Sequence, residues 1–177
     1  MSEISEKTLG FAAYECDVLQ VKEDAGPNQD KVGRIAIYLR SAGVLTALPW
    51  CASFVTWCFL QAGVQRTQLA SRPASACSWL DWAILKSRAH QDWSKAQRGD
   101  LFVLCDRGKG HGHIGFVVET RQFAGLWFIR TIEGNSNNDG SREGTAIVRR
   151  GVQGQKTVLG WRPVRSNLTC IRMHDFS

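Results

Sequence analysis

The chain has 177 residues, of which 44% are hydrophobic and 21% charged, and its formal net charge is +6. These values are typical of a globular protein, and they exclude both a disordered chain and a miniature protein that needs disulfides or metal to fold. We predict one domain over residues 1–177, with its core at about residues 8–164 and a short, loosely held C-terminal tail over residues 165–177.

The excess of basic residues lies in the second part of the chain. Residues 1–100 carry 11 basic and 10 acidic side chains, whereas residues 101–177 carry 11 and 6. This asymmetry favours an anionic partner, such as a wall polymer, nucleic acid or a lipid surface, and a basic surface without a ligand explains it equally well. No basic run, RNA-binding motif or zinc-finger spacing supports nucleic acid.

Apolar residues recur every three or four positions in the first half of the chain, which predicts helices. Thr8 is the predicted N-cap of the first helix, which ends near Gln20. Further helices are predicted over residues 32–43, from the residue after Pro49 to the one before Gly63, and over residues 75–89.

Residues 44–64 contain no charge over 21 positions, which is long enough for a membrane-spanning helix. Pro49 and several hydroxyl side chains interrupt this segment, so we predict a loop followed by a buried helix and no membrane span. The N-terminus also lacks a basic region followed by an apolar one, so no secretory signal is expected.

After Gly99 the pattern changes to short segments rich in β-branched and aromatic residues, separated by Gly, Asn and Asp. The predicted strands are LFVLC (101–105), HIGFVVE (113–119), LWFIRTIE (126–133), AIVRR (146–150) and VLGWRPV (158–164). Helices followed by a meander of antiparallel strands indicate an α+β fold.

Six cysteines occur, and none forms a C-x-x-C pair. Because no secretory signal is visible, a reducing compartment is expected and disulfides are not. Cys51 stands apart, since Pro49 favours a helix start and places Cys51 in the first turn. Free N–H groups and the helix dipole stabilise a thiolate there. Cys58 lies two turns further on, lacks this activation and is predicted to be a packing residue.

The segment GKGHGHIGFVVE places His113 at the start of a strand. Its imidazole can project from the sheet edge toward a helix end, and the neighbouring glycines let another backbone or a substrate approach closely. His111 is the weaker candidate, because Gly110 and Gly112 place it in a flexible turn.

Glu133 and Asn135 lie two residues apart at the end of the next strand, where either side chain can orient an imidazole. The alternative is a loop glutamate and a turn asparagine without a catalytic role. A thiol at a helix start, a histidine on a strand and an acid or amide on the next strand together indicate a cysteine hydrolase. A metal hydrolase using His111, His113 and a cysteine such as Cys105 is a rival hypothesis, but its third and fourth ligands are not evident.

Four segments resemble the CHAP family of amidohydrolases and peptidases, within the wider NlpC/P60 and papain-like group. They are GPNQDKVGRIAIYLRSAG, PWCASFVTWCFLQAGV, RGDLFVLCDRGKGHGHIGFVVE and TIEGNSNNDGSREGTAIVRR. The resemblance implies a papain-like α+β fold, in which a helix N-terminus carrying the nucleophile packs on an antiparallel sheet. It makes Cys51 the nucleophile, His113 the base and Glu133 the orienting residue, with Asn135 as a supporting or alternative member.

Residues 42–50 contain no acid and no Gln or Asn, so neither a calcium site nor a glutamine oxyanion donor is expected there. The oxyanion is expected to rely on backbone N–H groups, with Asn28 and Gln29 as candidate side-chain donors. Trp50 is the candidate substrate-binding residue on the cleft wall, with core packing as its alternative.

The resemblance also implies a peptidoglycan hydrolase that cuts an amide bond of the wall stem peptide, as an N-acetylmuramoyl-L-alanine amidase or an endopeptidase, without a cofactor. Two settings fit: a phage-type lysin released through a holin-made lesion, and a contact-delivered antibacterial toxin with a neutralising immunity protein. In both, the protein is made in the cytoplasm and acts on the cell wall in the periplasm. The alternatives are a catalytically inactive wall-binding module and a papain-like protease or transferase acting on proteins.

Overall fold

The computed structural model describes residues 2–30, 32–137, 144–150 and 161–173. The α-helices in these ranges are α1 (Glu3–Ala13), α2 (Gly33–Ser41), α3 (Cys51–Gln61) and α4 (Ala76–Leu85). A π-helical segment over Tyr14–Val18 prolongs α1, and short 3-10 turns lie at Arg66–Gln68, Trp93–Lys95 and Arg107–Lys109.

Helix α1 begins earlier than the sequence predicted. Ser2 is its N-cap, and the Ser2 hydroxyl accepts the N–H of Ser5 at 3.2 Å. Thr8 is therefore an interior residue, and its hydroxyl donates to the carbonyl of Ile4 instead of capping the helix. The other three helices form where they were predicted, although α4 ends at Leu85 and not near residue 89.

In the described part of the chain, one antiparallel sheet holds seven strands in the order β1-β7-β2-β3-β4-β5, and β6 also pairs with β4. The strands are β1 (Ala89–His90), β2 (Leu101–Asp106), β3 (His111–Phe123), β4 (Leu126–Ser136), β5 (Ala146–Arg150), β6 (Arg162–Pro163) and β7 (Leu168–Ile171). Strands β2 to β5 are neighbours in space as they are in sequence, which confirms the predicted meander and the α+β fold.

The C-terminal segment is part of the sheet, so the prediction of a loosely held tail is wrong for its described residues. Strand β7 lies between β1 and β2 and pairs with both. Cys170, Ile171 and Met173 are fully buried. The four residues of β7 are too few to show a periodic pattern, which is why the sequence did not reveal them. Of the predicted strand over 158–164, residues 158–160 lie outside the described residues.

Helix α3 lies at the centre of the core, and the nine residues from Cys51 to Phe59 are all buried. Phe54 packs on Phe116 of β3, with ring centroids 6.1 Å apart, and Phe59 packs on Trp79 of α4 at 5.6 Å. A helix surrounded in this way is apolar on every face, which explains the long uncharged segment. Among the described residues, the helices are too short or too polar to cross a membrane.

Candidate active site

Cys51 is the first residue of α3 and directly follows Trp50 at the N-cap position. The side chain of Trp50 caps none of the N–H groups of the first turn, so these groups are available to the sulfur and to a substrate. Backbone N–H groups of Ala52 and Ile114 donate to the Cys51 sulfur. Cys51 is 6% exposed, so the proposed nucleophile is largely shielded from bulk water.

His113 lies near the start of β3, opposite Leu104 of β2. Its ring packs beside Phe102, with centroids 5.8 Å apart, and its side chain is 23% exposed. The imidazole is hydrogen-bonded to the Cys51 sulfur. The structure therefore brings together a helix start and a strand start that are far apart in the sequence.

Glycines on either side of His113 allow protein groups to approach it closely. A Cβ atom on Gly112 would lie 2.9 Å from the Cβ atom of Ala76 in α4. A Cβ atom on Gly115 would lie 2.7 Å from a backbone carbonyl oxygen of β4 and 3.1 Å from the Cγ atom of Glu133. The Gly-His-x-Gly pattern thus lets α4 pack on one side of β3 and Glu133 approach from the other.

Cys51 and His113 stabilise each other's charged forms, a thiolate and an imidazolium. Burial disfavours the charged sulfur, but the hydrogen bond and charge of His113, with the two backbone donors, hold the pKa of Cys51 below its ordinary value. Burial also disfavours the imidazolium, but hydrogen bonds with Cys51 and Glu133 raise the pKa of His113 to about 9. Both shifts favour the state in which the sulfur is charged and the ring is protonated. In contrast, burial raises the pKa of Cys58 well above its ordinary value.

Glu133 of β4 is the partner of the imidazole on its other side. The Oε2 atom of Glu133 lies 2.8 Å from Nε2 of His113, which leaves Nδ1 as the ring nitrogen available to the sulfur. The carboxylate is buried. A buried carboxylate is tolerated only when its oxygens are satisfied, so the groups around it belong to the site.

Three groups that the sequence analysis missed hold the Glu133 carboxylate. The hydroxyls of Thr131 and Ser136 donate to it at 2.6 and 3.1 Å, and Nε of Arg150 lies 3.1 Å from Oε2. Thr131 and Glu133 share one face of β4, so strand alternation is a signal that would have found Thr131. Arg150 comes from β5, and no local pattern links it to Glu133.

Asn135 lies at the irregular end of β4 and is not bonded to His113. Its φ of 52° is in the left-handed region, and the register between β4 and β5 shifts between Glu133 and Ser136. The Oδ1 atom of Asn135 is buried and has no hydrogen-bond partner among the described residues. Of the two predicted third members, the structure places Glu133 against the imidazole.

Trp50 is fully buried. Its indole N–H donates to Oε1 of Glu23 at 2.6 Å, and Oε2 of Glu23 accepts the backbone N–H of Asn28 at 2.7 Å. A side chain without accessible surface does not line a cleft, so the predicted substrate-binding role of Trp50 does not fit this position. Glu23, which the sequence analysis missed, ties the loop that holds Asn28 to the start of α3.

A disulfide joins Cys77 of α4 to Cys105 of β2, with Cα atoms 5.1 Å apart. The expectation of free thiols is wrong for this pair, because it was based on the compartment and not on the packing of α4 against β2. The free cysteines are Cys16, Cys51, Cys58 and Cys170. The rival metal hydrolase used His111, His113 and a cysteine such as Cys105, and the Cys105 sulfur is bonded to Cys77.

Another group of described residues has the side chains to hold a metal ion. Ligand atoms of His90, Asp100 and Cys170 lie within 4.8 Å of one another. The Asp100 carboxylate already accepts the backbone N–H groups of Gln97 and Met173, each at 2.8 Å. Asp100 precedes the start of β2, whereas His113 lies opposite the fourth residue of that strand, so this group is separate from Cys51 and His113.

Comparison with known protein families gives one match. Residues 43–135 match the family model described as CHAP domain, and this span covers just over half of the chain. It contains Cys51, His113, Glu133 and Asn135. No curated protein and no solved structure matches the chain.

Proposed function

This chain belongs to the CHAP domain family, whose members generally hydrolyse peptidoglycan, and we propose that it is a cysteine peptidoglycan hydrolase. The bond that we propose it cuts is an amide of the wall stem peptide. That bond is either the one between muramic acid and L-alanine, as in an amidase, or one within the stem or its cross-bridge, as in an endopeptidase.

The hydrogen-bonded array from Cys51 through His113 to Glu133 carries this proposal. A thiol at a helix start is by itself more often a core residue than a nucleophile. A thiol bonded to an imidazole that a buried carboxylate orients has the arrangement that activates a nucleophile in cysteine hydrolases. The partial exposure of His113 supports access of a substrate to this array.

Acylation starts from the thiolate–imidazolium pair. The Cys51 sulfur attacks the carbonyl carbon of the scissile amide, and the carbonyl oxygen takes up the negative charge. The uncapped N–H groups at the start of α3 stabilise this oxyanion, a contribution that is usually a large part of the rate enhancement. His113 then gives its proton to the amide nitrogen, the C–N bond breaks, and the amine leaves.

Deacylation uses the same imidazole as a base. Neutral His113 takes a proton from water while the water oxygen attacks the thioester carbonyl carbon, and the C–S bond then breaks. The carboxylic acid leaves, and the thiolate and imidazolium are restored. Throughout, Glu133 keeps Nδ1 of the ring directed at the sulfur. Water and the chain's own side chains are sufficient for both steps, so we propose no cofactor.

We further propose that the protein acts on the wall in the periplasm. The Cys77–Cys105 disulfide supports this setting, because disulfides persist in oxidising compartments. The protein would reach the wall through a holin-made lesion, as a phage-type lysin, or by delivery into a rival cell, as a toxin paired with an immunity protein. Directing the protein to the periplasm of a Gram-negative host should lyse the cells, whereas the Cys51→Ala variant should not.

Digestion of purified peptidoglycan tests the hydrolase proposal. The wild-type protein should release soluble fragments, and their masses should identify the bond that is cut. Cys51→Ala should release none while remaining folded. Cys58→Ala is the matched control, because it removes a buried sulfur of the same helix and should retain activity.

The same digestion separates the alternatives. Binding to peptidoglycan without release of fragments by the wild-type protein would indicate an inactive wall-binding module. Cleavage of proteins but not of peptidoglycan would indicate a papain-like protease. Equal release by wild type and Cys51→Ala would refute the assignment of Cys51.

A further inference from the structure

The disulfide between Cys77 and Cys105 lies beside the strand segment that carries His113. Cys105 is the register partner of Gly112 on β3, and the neighbouring residue Leu104 is the partner of His113. A Cβ atom on Gly112 would lie 3.5 Å from the Cys77 sulfur. The covalent link is therefore one residue away from the proposed catalytic base in the β2–β3 register.

The start of α4 rests on the same segment of β3. The Cys77 sulfur lies 3.8 Å from the carbonyl oxygen of His111, and a Cβ atom on Gly112 would lie 2.9 Å from Cβ of Ala76. His111 and Gly112 are themselves exposed. Besides its pairing with β2, the backbone that leads into His113 is therefore supported by the contact with α4.

A second link between α4 and the β2–β3 hairpin is weaker. Asp81 of α4 forms an ion pair with Arg107 in the 3-10 turn that follows β2, and both side chains are well exposed. Exposed ion pairs contribute little and are screened by salt. Unlike this ion pair, the disulfide does not weaken as the ionic strength rises.

We propose that the Cys77–Cys105 bond positions His113, so that full activity of the enzyme requires this pair to be oxidised. The control of enzyme activity by this bond rests on the proposed function. The positioning of His113 by the bond rests on the geometry alone. When the bond opens, the first turn of α4 loses its covalent tie to β2, although buried Trp79 and Ala83 keep the rest of the helix in the core. That turn can then shift, and the backbone around Gly112 loses part of its support. The imidazole then no longer meets the Cys51 sulfur in the geometry that stabilises the thiolate.

Opening the bond requires a thiol reductant. A thiolate attacks one sulfur of the pair, which forms a mixed disulfide and releases the other cysteine as a thiol. A second reductant thiol then attacks the mixed disulfide, leaving two protein thiols and one oxidised reductant. A thiol-rich cytoplasm supplies such a reductant, and a disulfide oxidant at the wall reverses the exchange. The enzyme would therefore have low activity where it is made and full activity where its substrate lies.

The rate at which iodoacetamide alkylates Cys51 at pH 6 tests this inference independently of any substrate. Oxidised wild-type protein should react faster than an ordinary thiol does at this pH, because His113 stabilises the Cys51 thiolate. The double variant Cys77→Ser with Cys105→Ser should react at least about tenfold more slowly at unchanged far-UV circular dichroism, since a rise of one pKa unit lowers the thiolate fraction tenfold. Cys16→Ser, which removes a free thiol elsewhere, should react like the wild type. Equal alkylation rates in the double variant and the wild type would overturn the inference.

If the double variant does not fold, a redox titration of the wild-type protein compares the alkylation rate of Cys51 with the Cys77–Cys105 bond formed and with it open. Mixtures of reduced and oxidised dithiothreitol set the fraction of bonded Cys77–Cys105, which intact-protein mass spectrometry measures. The alkylation rate of Cys51 should follow that fraction. A constant rate while the pair opens would show that the bond has no part in positioning His113. The two proposals can fail separately. If no oxidised sample hydrolysed the wall but the alkylation rate of Cys51 still followed the fraction of bonded Cys77–Cys105, the proposed function would be refuted and this inference would stand.

Discussion

The Oε2 atom of Glu133 lies 2.8 Å from Nε2 of His113, and the same atom lies 3.1 Å from Nε of Arg150. The carboxylate therefore balances two positive groups, and hydroxyls of Thr131 and Ser136 fix its orientation. A carboxylate held from four directions prevents the imidazole from turning, and it keeps Nδ1 directed at the nucleophilic sulfur.

Glu133→Gln should shift the pH dependence of catalysis. Loss of the carboxylate charge removes a group that raises the pKa of His113, so the alkaline limb of kcat/KM should move from about 9 in the wild type to lower pH. The rate at neutral pH should fall by about 10²-fold to 10⁴-fold, as when a general acid–base is mispositioned. The measurement is the pH profile of muropeptide hydrolysis.

Glu119→Gln is the matched control for this substitution. Glu119 lies on β3, pairs with Arg130 and is exposed, so its loss should leave the profile unchanged. An alkaline limb in Glu133→Gln that coincides with that of the wild type would show that Glu133 does not support the imidazolium.

Cys51 should react with iodoacetamide at pH values well below those at which an ordinary thiol reacts. The sulfur carries its charge above its lowered pKa, so the rate should rise with pH through that value and then level off. In His113→Ala the largest favourable contribution to the thiolate is lost, and the rise should move to higher pH. Mass spectrometry of the alkylated peptides measures the rate at each cysteine.

Two other thiols serve as internal standards in the same experiment. Burial raises the pKa of Cys16 to about 12 and that of Cys58 well above its ordinary value, so neither should be alkylated in folded protein at pH 6 to 8. Alkylation of Cys58 before Cys51 would contradict the thiolate–imidazolium pair.

Gly115→Ala should impair both stability and catalysis. The added Cβ atom would lie 2.7 Å from the carbonyl oxygen of Ile132 and 2.8 Å from a ring carbon of Phe102, so the backbones of β3 and β4 must separate. The cost should be about 1–3 kcal/mol of unfolding free energy, as for other overpacked sites. Separation of the strands also moves Glu133 away from His113, so kcat should fall.

Gly10→Ala is the control for added volume. Gly10 lies inside α1 with nothing within 4 Å of an added Cβ atom, and alanine there should stabilise the protein by about 0.5–1 kcal/mol. Denaturant titration measures the free energy of unfolding of both variants. If Gly115→Ala proved as stable and active as the wild type, the close approach of β4 to His113 would not be needed.

Trp50→Phe separates a structural role from a role in substrate binding. The change removes the N–H that donates to Glu23 at 2.6 Å and leaves a buried carboxylate oxygen without this donor. The cost should be about 1–3 kcal/mol, or roughly 2–4 °C in Tm for each kcal/mol in a chain of this size. KM should stay the same, because Trp50 has no accessible surface.

The control for Trp50→Phe is Trp82→Phe, in which the indole donates to the Gln68 carbonyl at 3.0 Å in an exposed setting. The Tm of Trp82→Phe should change less than that of Trp50→Phe. A rise of KM in Trp50→Phe at unchanged Tm would restore the predicted cleft-wall role.

Local patterns were sufficient to predict the helix that begins at Cys51 and the strands that carry His113 and Glu133. Each depends on residues close in sequence: a proline before a helix, or alternation within a strand. The predicted tail and the missed disulfide show where such patterns fail. Cys77 and Cys105 meet because α4 packs on β2, which is a tertiary contact that no local spacing encodes.

Long-range pairs account for the rest of what the sequence did not reveal. Glu23 reaches the start of α3 from a distant loop, and Arg150 reaches Glu133 from another strand. Trp50 was ambiguous for a related reason, because a tryptophan beside a nucleophile lines a cleft or fills the core according to what packs on it. Here Tyr38 and Phe54 cover it, with ring centroids 5.8 and 6.5 Å away.

The most direct test of the central claim is the mass of the protein during turnover. An acid-quenched reaction with a defined muropeptide should contain protein heavier by the acyl fragment, and peptide mapping should place that fragment on Cys51. Cys51→Ala should show neither the adduct nor product. Continued turnover by Cys51→Ala, or an acyl fragment mapped to another residue, would contradict the account.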